Sequence, residues 1–472
     1  MSKVIGIDLG TTFSAIASLD DLGNPEVLAS IEDNRKITAS AIYINGNNVT
    51  VGDKALSHIK EEPKKVILQT KREMENDVVY SVDQGKWTDD KDLVDAYTPA
   101  QVSSLILKKL KDYTTDVKKA VITVPAMFAE KARQATLDAA KLADLEVIEL
   151  INEPTAAVLH YASLPGVEVG GRVMIFDLGG GTFDVTFAEV KNKKVDVLTS
   201  RGDKYLGGRD FDKEITKLMK KKYHDVHKVD IDIENKKEYL QKAEEVKKIL
   251  SVKNKASISI DGPKGPQQIE ITLEEFEESI QTYIEKIKML IEEAMEASGM
   301  KPSRINQTLL VGGSTRIPLI TKVLTNIMGK PPVKGVNVDE AVVCGAAIYA
   351  GLKTEKKTLS NEQQAALKDV NLTDVCNFYM GTLALVRDHL TNRDVIANTI
   401  IIERDSKLPV SITKRLYTVY EGQETLECSV TQSEGPEENK EFVNIIHQED
   451  LKLPKGRPAK QPIDITYSYD ES

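Results

Sequence analysis

One short pattern occurs twice in this chain and limits what it can fold into. Ile5-Gly6-Ile7-Asp8-Leu9-Gly10 and Met174-Ile175-Phe176-Asp177-Leu178-Gly179 both run an apolar strand into Asp-Leu-Gly, followed by Thr11-Thr12 in the first copy and Gly180-Gly181-Thr182 in the second. Glycines let backbone N–H groups approach phosphate oxygens, threonine hydroxyls donate to them, and two strand-ending carboxylates suit a hydrated Mg2+. A single copy would read as a tight β-hairpin. Repetition of the same chemistry favours a phosphate clamp built from two related lobes of one domain, and the copies lie too far apart for a solenoid.

The surrounding pattern is α/β. Val4–Asp8 and Ala120–Val124 read as buried strands, and the second is closed by Pro125. Thr98-Pro99 opens a helix whose apolar positions Val102, Leu105, Ile106 and Leu110 follow a helical period. Residues 130–142 repeat that period, and Arg172–Asp177 begins a second strand series. Thr272 and Glu275 form a capping box for one helix expected to run to Gly299, with Phe276, Ile280, Ile284, Ile287, Ile291 and Ala294 on a shared face. Thr308–Val311 is expected as strand and residues 339–352 as a small-residue helix. From Lys353 the composition turns polar, so 356–375 reads as a linker. Beyond Cys376, short β-type runs at 399–403, 411–419, 426–432, 442–447 and 463–469 predict a compact all-β unit. The expected fold is therefore a two-lobed α/β domain over 1–355, a linker over 356–375 and a smaller β-sandwich over 376–472.

Bulk properties narrow the function. At 472 residues the chain can bury several cores, and a net charge of −10 argues against a general nucleic-acid binder. Cys344, Cys376 and Cys428 stand apart, as free thiols in a reducing compartment would. The start MSKVIGIDLG lacks signal-peptide character and the apolar stretch at 341–352 is too short to span a bilayer, so a cytoplasmic address and no membrane partner are expected. There is no GxxxxGK[ST] loop, no GxSxG elbow and no zinc-ligand spacing. His224 and His227 sit among charges, where solvated histidines are the ordinary outcome. A third glycine turn, Gly312-Gly313-Ser314-Thr315-Arg316, could pack a purine or ribose, or could simply join strand to helix.

The ordered motifs IGIDLGTTFS, VITVPAMF, NEPTAA, IFDLGGGTFD, YLGGRDFD, LLVGGSTRIP and VDEAVVCGAA span nearly all of residues 3–352. As a set they resemble the heat-shock-seventy (DnaK-type) chaperone family, whose first domain has the actin-like ATPase fold. By position, the resemblance implies that Gly10, Thr11, Thr12 and Phe13 with Gly179, Gly180, Gly181 and Thr182 form the phosphate loops, with Gly207 and Gly208 beside them. It implies Asp8 and Asp177 as carboxylates holding Mg2+ through water, Lys71 as the lysine placing water against the γ-phosphate, and Glu153 as the cleft glutamate. Glu244, Lys247, Lys248, Ser251, Gly312, Gly313, Ser314, Arg316 and Asp339 become adenosine contacts, and Pro125 and Arg133 a relay to the second domain. The implied activity is ATP hydrolysis coupled to binding and release of extended apolar peptides. ATP or ADP, Mg2+ and also K+ are the implied cofactors, and a J-domain co-chaperone and a nucleotide exchange factor the implied partners.

This chain departs from the family pattern in places. Lys248 stands where an arginine usually covers the adenine, and Arg209 replaces an acidic residue. Asn371 and Thr373 interrupt a normally apolar linker, from which weaker docking is expected. The β-rich part resembles the family's client domain more loosely. Val430 is the candidate for its side-chain pocket, with a plain core position as the alternative. No counterpart of the family's helical lid follows, so faster peptide exchange is expected. Two other readings compete. A small-molecule kinase of the same superfold leaves the β-unit unexplained, and a non-catalytic exchange factor has no need of Lys71, Asp8, Glu153 and Asp177.

Overall fold

The computed structural model describes residues 3–164, 171–333, 337–387 and 392–470. Two α/β lobes are built on one plan. In the first, β1 (Lys3–Asp8), β2 (Phe13–Leu19) and β3 (Pro25–Val27) form an antiparallel meander, and β4 (Val117–Val124) and β5 (Glu146–Asn152) extend it in parallel beyond β1. In the second, β6 (Gly171–Leu178), β7 (Phe183–Lys191) and β8 (Lys194–Asp203) repeat the meander, and β9 (Gln307–Val311) runs parallel to β6. Thus both Asp-Leu-Gly strands sit beside a parallel neighbour, and both hairpin tips emerge at the same end of their sheets.

Local chemistry explains the helices. α1 (Pro99–Lys111) starts at a Thr98–Gln101 capping box with Pro99 in its first turn, and it buries Val102, Ile106, Leu107 and Leu110. α2 (Glu130–Leu142) and α3 (Glu153–Ser163) follow the strands β4 and β5. α4 (Gly208–His227) and α5 (Lys237–Leu250) line the second lobe. The single helix expected from Thr272 to Gly299 is in fact two, α6 (Leu273–Ser279) and α7 (Gln281–Ser298), although the Thr272–Glu275 capping box is present. Ile280 leaves helical geometry while staying in the core, and carbonyls freed at the break are taken by Ser279 Oγ on Phe276 (2.8 Å) and Gln281 Nε2 on Glu277 (2.9 Å). α8 (Ala341–Lys353) lies against both α3 and β1. That crossing demands small residues: a Cβ on Gly345 would sit 1.7 Å from the Ala156 carbonyl oxygen.

The stretch 356–375 is not a free tether. It carries α9 (Asn361–Leu367) and a short strand β10 (Asn371–Thr373) that joins the second lobe's sheet parallel to β8. Strand alternation sorts the side chains of this segment. Val370 and Leu372 pack on the core between the lobes, while exposed Asn371 and half-buried Thr373 fall on the opposite set of positions.

The β-unit has a four-stranded sheet and a strand pair. β11 (Tyr379–Arg387), β12 (Asp394–Ile402), β14 (Thr425–Ser433) and β15 (Asn444–Lys452) form the sheet in the order β12-β11-β14-β15, and β13 (Val410–Tyr417) pairs with β16 (Pro462–Tyr469). β11 was not among the expected strands, because Gly381 interrupts its β-pattern. Its glycine allows a close approach: a Cβ there would lie 2.6 Å from Asn398 Oδ1. The unit's core of Phe378, Met380, Ile401, Ile402 and Leu408 is completed by Met127 and Ala129 from the first lobe. Polar contacts extend this junction. Asn377 Nδ2 donates to the Ala126 carbonyl (2.9 Å), Glu130 N donates to Gln432 Oε1 (3.1 Å), and Arg201 forks onto Asp405 at 3.1 and 2.9 Å.

Candidate functional site

A cavity of about 650 Å3 lies between the lobes. Its floor is made by the two hairpins. They touch tip to tip: a Cβ on Gly180 would lie 2.0 Å from Thr12 Oγ1, and one on Gly181 would lie 2.4 Å from Thr11 Oγ1. The first tip is stiffened by Gly10 N donating to Ser14 Oγ (3.1 Å) and Ser40 Oγ donating to the Gly10 carbonyl (2.7 Å). The second is braced from behind, where Gly208 N and Arg209 N donate to the Gly179 and Gly180 carbonyls at 3.0 and 2.9 Å. Within the turn itself, Gly179 N donates to the Thr182 carbonyl (3.1 Å). Gly181, Gly207 and Gly208 buttress the cavity and do not line it. Thr12 Oγ1 is buried and finds no protein partner.

Carboxylates crowd the floor. Burial, then the nearby Glu153, lift Asp8 to about 7 against the easing effect of Lys71 and of Thr123, whose hydroxyl donates to Asp8 at 3.1 Å. Asp177 rises well above its ordinary range through burial first and then Glu153, Asp184 and Asp8. Asp184, opposite Asp177 across the hairpin, is pushed to about 8 by burial and Glu153. Lys71 is the cation that offsets all three, and it is itself engaged by Glu153 in a buried ion pair. Such an acidic floor calls for added positive charge. Among the described residues no three His, Cys, Asp or Glu side chains are arranged to ligate a metal directly. Asp8 and Asp177 thus fit a divalent ion that keeps its water shell, as Mg2+ does.

The far wall comes from α4, α5 and the Gly312–Arg316 turn. Lys247 Nζ lies 2.7 Å from Asp212 and donates to the Gly208 carbonyl (2.8 Å), and Lys248 pairs with Glu244 at 2.9 Å. Burial alone would raise Glu244, but Arg209, Lys248 and Lys247 together hold it below its usual range. Lys248 also stands 5.7 Å from the centre of the Phe13 ring, bridging the cleft mouth from the other lobe. Ser314 Oγ donates to the Gly179 carbonyl (2.9 Å), and Arg316 pairs with Asp339. Ser251 and Gly313 line the same wall.

Two arginine and lysine clasps join the lobes, and neither was singled out in the sequence. Arg72 donates to the Gly181 carbonyl at 3.0 and 2.7 Å and forks onto Asp210. Lys237, at the start of α5, reaches into the first lobe, where the carbonyls of Pro63 (2.9 Å), Val66 (2.7 Å) and Gly85 (3.2 Å) and the Tyr80 hydroxyl (2.5 Å) surround its ammonium. Burial lowers it to about 8.

Pro125 and Arg133 do not line the cavity. Arg133 donates to the Phe128 carbonyl (3.1 Å) and to Asn152 Oδ1 (2.6 Å), in the segment that Pro125 opens beneath the β-unit. Asn152 Nδ2 and Thr155 Oγ1 then donate to the buried Asp374 carboxylate at 3.1 and 2.9 Å. Neighbouring residues thus face opposite ways, Glu153 to Lys71 in the cleft and Asn152 to the linker. Val430 is half-buried against the β-unit core, across from His447.

The profile of the family described as Hsp70 protein matches residues 4–468. The chain belongs to the Hsp70 family. It is 35% identical over 486 residues to the chaperone protein DnaK of Thermotoga petrophila, an alignment covering 99% of this chain and 76% of that protein. This Hsp70 is accordingly an ATPase of a chaperone family that binds ATP and ADP with Mg2+, and the two-lobed cleft followed by a β-unit is the architecture expected of it. Among the described residues no helix is long and apolar enough to cross a membrane.

Proposed function

We propose that the cleft hydrolyses Mg-ATP and that nucleotide state controls how the β-unit binds extended apolar peptides. The observation that carries this reading is the adjacency of Asn152 and Glu153, one bonded to the linker aspartate and the other to the cleft lysine. A shift of the Glu153–Lys71 pair on phosphate cleavage would displace the backbone that also places Asn152, so linker and cleft cannot move independently.

In this proposal Gly10, Thr11, Thr12, Phe13, Gly179, Gly180 and Thr182 cradle the phosphates, supported from behind by Gly181, Gly207 and Gly208. Lys71 positions the attacking water against the γ-phosphate, Glu153 holds Lys71, and Asp177 orients the water. Asp8 and Asp177 would hold hydrated Mg2+, which supplies charge neutralisation to the phosphates; K+ can serve beside it. Phosphoryl transfer needs chiefly such positioning and positive charge. Glu244, Lys247, Lys248, Ser251, Gly312, Gly313, Ser314, Arg316 and Asp339 take the adenosine. Pro125 and Arg133 carry the state to the β-unit, with domain limits at 1–355, 356–375 and 376–472. The β-unit binds client peptide by main-chain hydrogen bonds, with Val430 at its side-chain pocket. A J-domain protein and an exchange factor act on the cycle, in the cytoplasm.

Single-turnover ATP hydrolysis, with and without an apolar peptide and a J-domain protein, tests the reading. Peptide should accelerate turnover, and Lys71→Ala should abolish it while nucleotide binding survives. Turnover indifferent to peptide, or unimpaired by Lys71→Ala, defeats it.

A further inference from the structure

Five cationic side chains line the cavity: Lys71, Arg209, Lys247, Lys248 and Arg316. Four of them have a carboxylate within 2.9 Å, namely Glu153, Asp212, Glu244 and Asp339 respectively for Lys71, Lys247, Lys248 and Arg316. Arg209 does not. Its nearest carboxylate oxygens are Glu244 Oε2 at 3.7 Å and Asp212 Oδ2 at 3.8 Å, beyond hydrogen-bond reach, and the other oxygens of both groups are engaged by lysines. Its side chain is only 8% exposed, and its Nε is buried without a protein partner. A buried Nε–H with no acceptor is costly, and the planar guanidinium fork suits bidentate contact with phosphate oxygens.

Position adds the second constraint. Arg209 N is tied to the Gly180 carbonyl at 2.9 Å, directly behind the glycine loop, while its guanidinium leans toward Glu244 on α5. It stands between the loop that would hold the terminal phosphates and the wall that would hold the ribose. We infer that Arg209 is a further nucleotide ligand, which grips the non-transferred phosphates and makes the site discriminate ADP and ATP from unphosphorylated adenosine. This rests on the cleft being the nucleotide site. The bland alternative is that Arg209 merely organises Asp212 and Glu244 for the ribose.

Titration calorimetry of the full chain with Mg-ADP and with adenosine separates these. Arg209→Gln is expected to weaken ADP about 10- to 100-fold while leaving adenosine within about twofold. Arg209→Lys keeps the charge but loses the fork, so it should weaken ADP about three- to tenfold and also leave adenosine alone. ADP affinity unchanged in both variants overturns the inference, as does loss of ADP and adenosine by the same factor. If Arg209→Gln proves too poorly folded to bind adenosine, Arg209→Lys decides by the same comparison. Wild-type protein that fails to bind ADP would instead overturn the reading of the cleft itself.

Discussion

Asp374→Ala is the sharpest test of how the two domains are joined. The Asp374 carboxylate is buried at the end of β10, and it accepts from its neighbour Val375 N at 2.8 Å, from Thr155 Oγ1 at 2.9 Å and from Asn152 Nδ2 at 3.1 Å. Burial raises its pKa despite these donors, so part of their attraction is spent on desolvating the charge. Truncation leaves the Asn152 amide and the Thr155 hydroxyl without that acceptor, at about 1–3 kcal/mol each. The adjoining cavity of about 20 Å3 can admit a single water, which recovers some of this. A net loss of roughly 2–4 kcal/mol shifts the docked–undocked balance about 30- to 1,000-fold. Hydrogen exchange measured by mass spectrometry reads the change directly, because the β10 amides are protected only while the strand lies on β8. Protection over 371–373 should collapse in the variant while β6 and β7 stay protected. Unchanged protection over 371–373 would refute the claim that Asp374 holds the linker in place.

Other consequences are as direct. Gly181→Ala puts a Cβ 2.4–2.8 Å from three atoms of Thr11, so the hairpin tips can meet only with overpacking of about 1–3 kcal/mol; ATP turnover should drop about tenfold with little loss of melting temperature, and normal turnover would contradict the tip-to-tip contact. Lys237→Met removes the donor shared by four oxygens of the other lobe, and stopped-flow release of fluorescent ADP should quicken about 5- to 30-fold after allowance for the desolvation that lowers this lysine; an unaltered rate argues that the clasp does not gate the cleft. Asp184 is raised from 3.8 to about 8, so the folded chain retains a proton there that the unfolded chain releases above about pH 4. The stability this group contributes is complete below that pH and is lost as pH rises toward 8. The melting temperature of nucleotide-free Asp184→Asn should therefore gain on wild type between pH 5 and 8, and a constant difference would disprove the shift.

Much of this architecture was written locally. The twin Asp-Leu-Gly turns, the Thr98 N-cap, the Thr272 capping box and the limits of the 130–142 helix follow from neighbours a few residues apart, and they appear as expected. The geometry of the hairpins was legible for the same reason, since strand, carboxylate, glycine and threonine are contiguous. The break at Ile280 was not, because the helical period continues through it and Ile280 stays on the buried face with Phe276 and Ile284. Nor could the polar residues Asn371 and Thr373 reveal that they point away from the docking surface, as their orientation is set by pairing with a strand far away in the chain.

Arg209 shows the division most clearly. By itself the sequence determined that a positive charge stands where the family has a negative one. It could not determine whether that charge is neutralised, because Asp212 and Glu244 lie within reach of both Arg209 and the lysines of α5. Tertiary packing decided the matter: Lys247 and Lys248 approach those carboxylates more closely, and Arg209 stands 3.7 and 3.8 Å from them, in ionic range but without a direct hydrogen bond. Electrostatic pairing is settled by distances of a few ångströms between residues remote in sequence, and only the folded chain sets those distances.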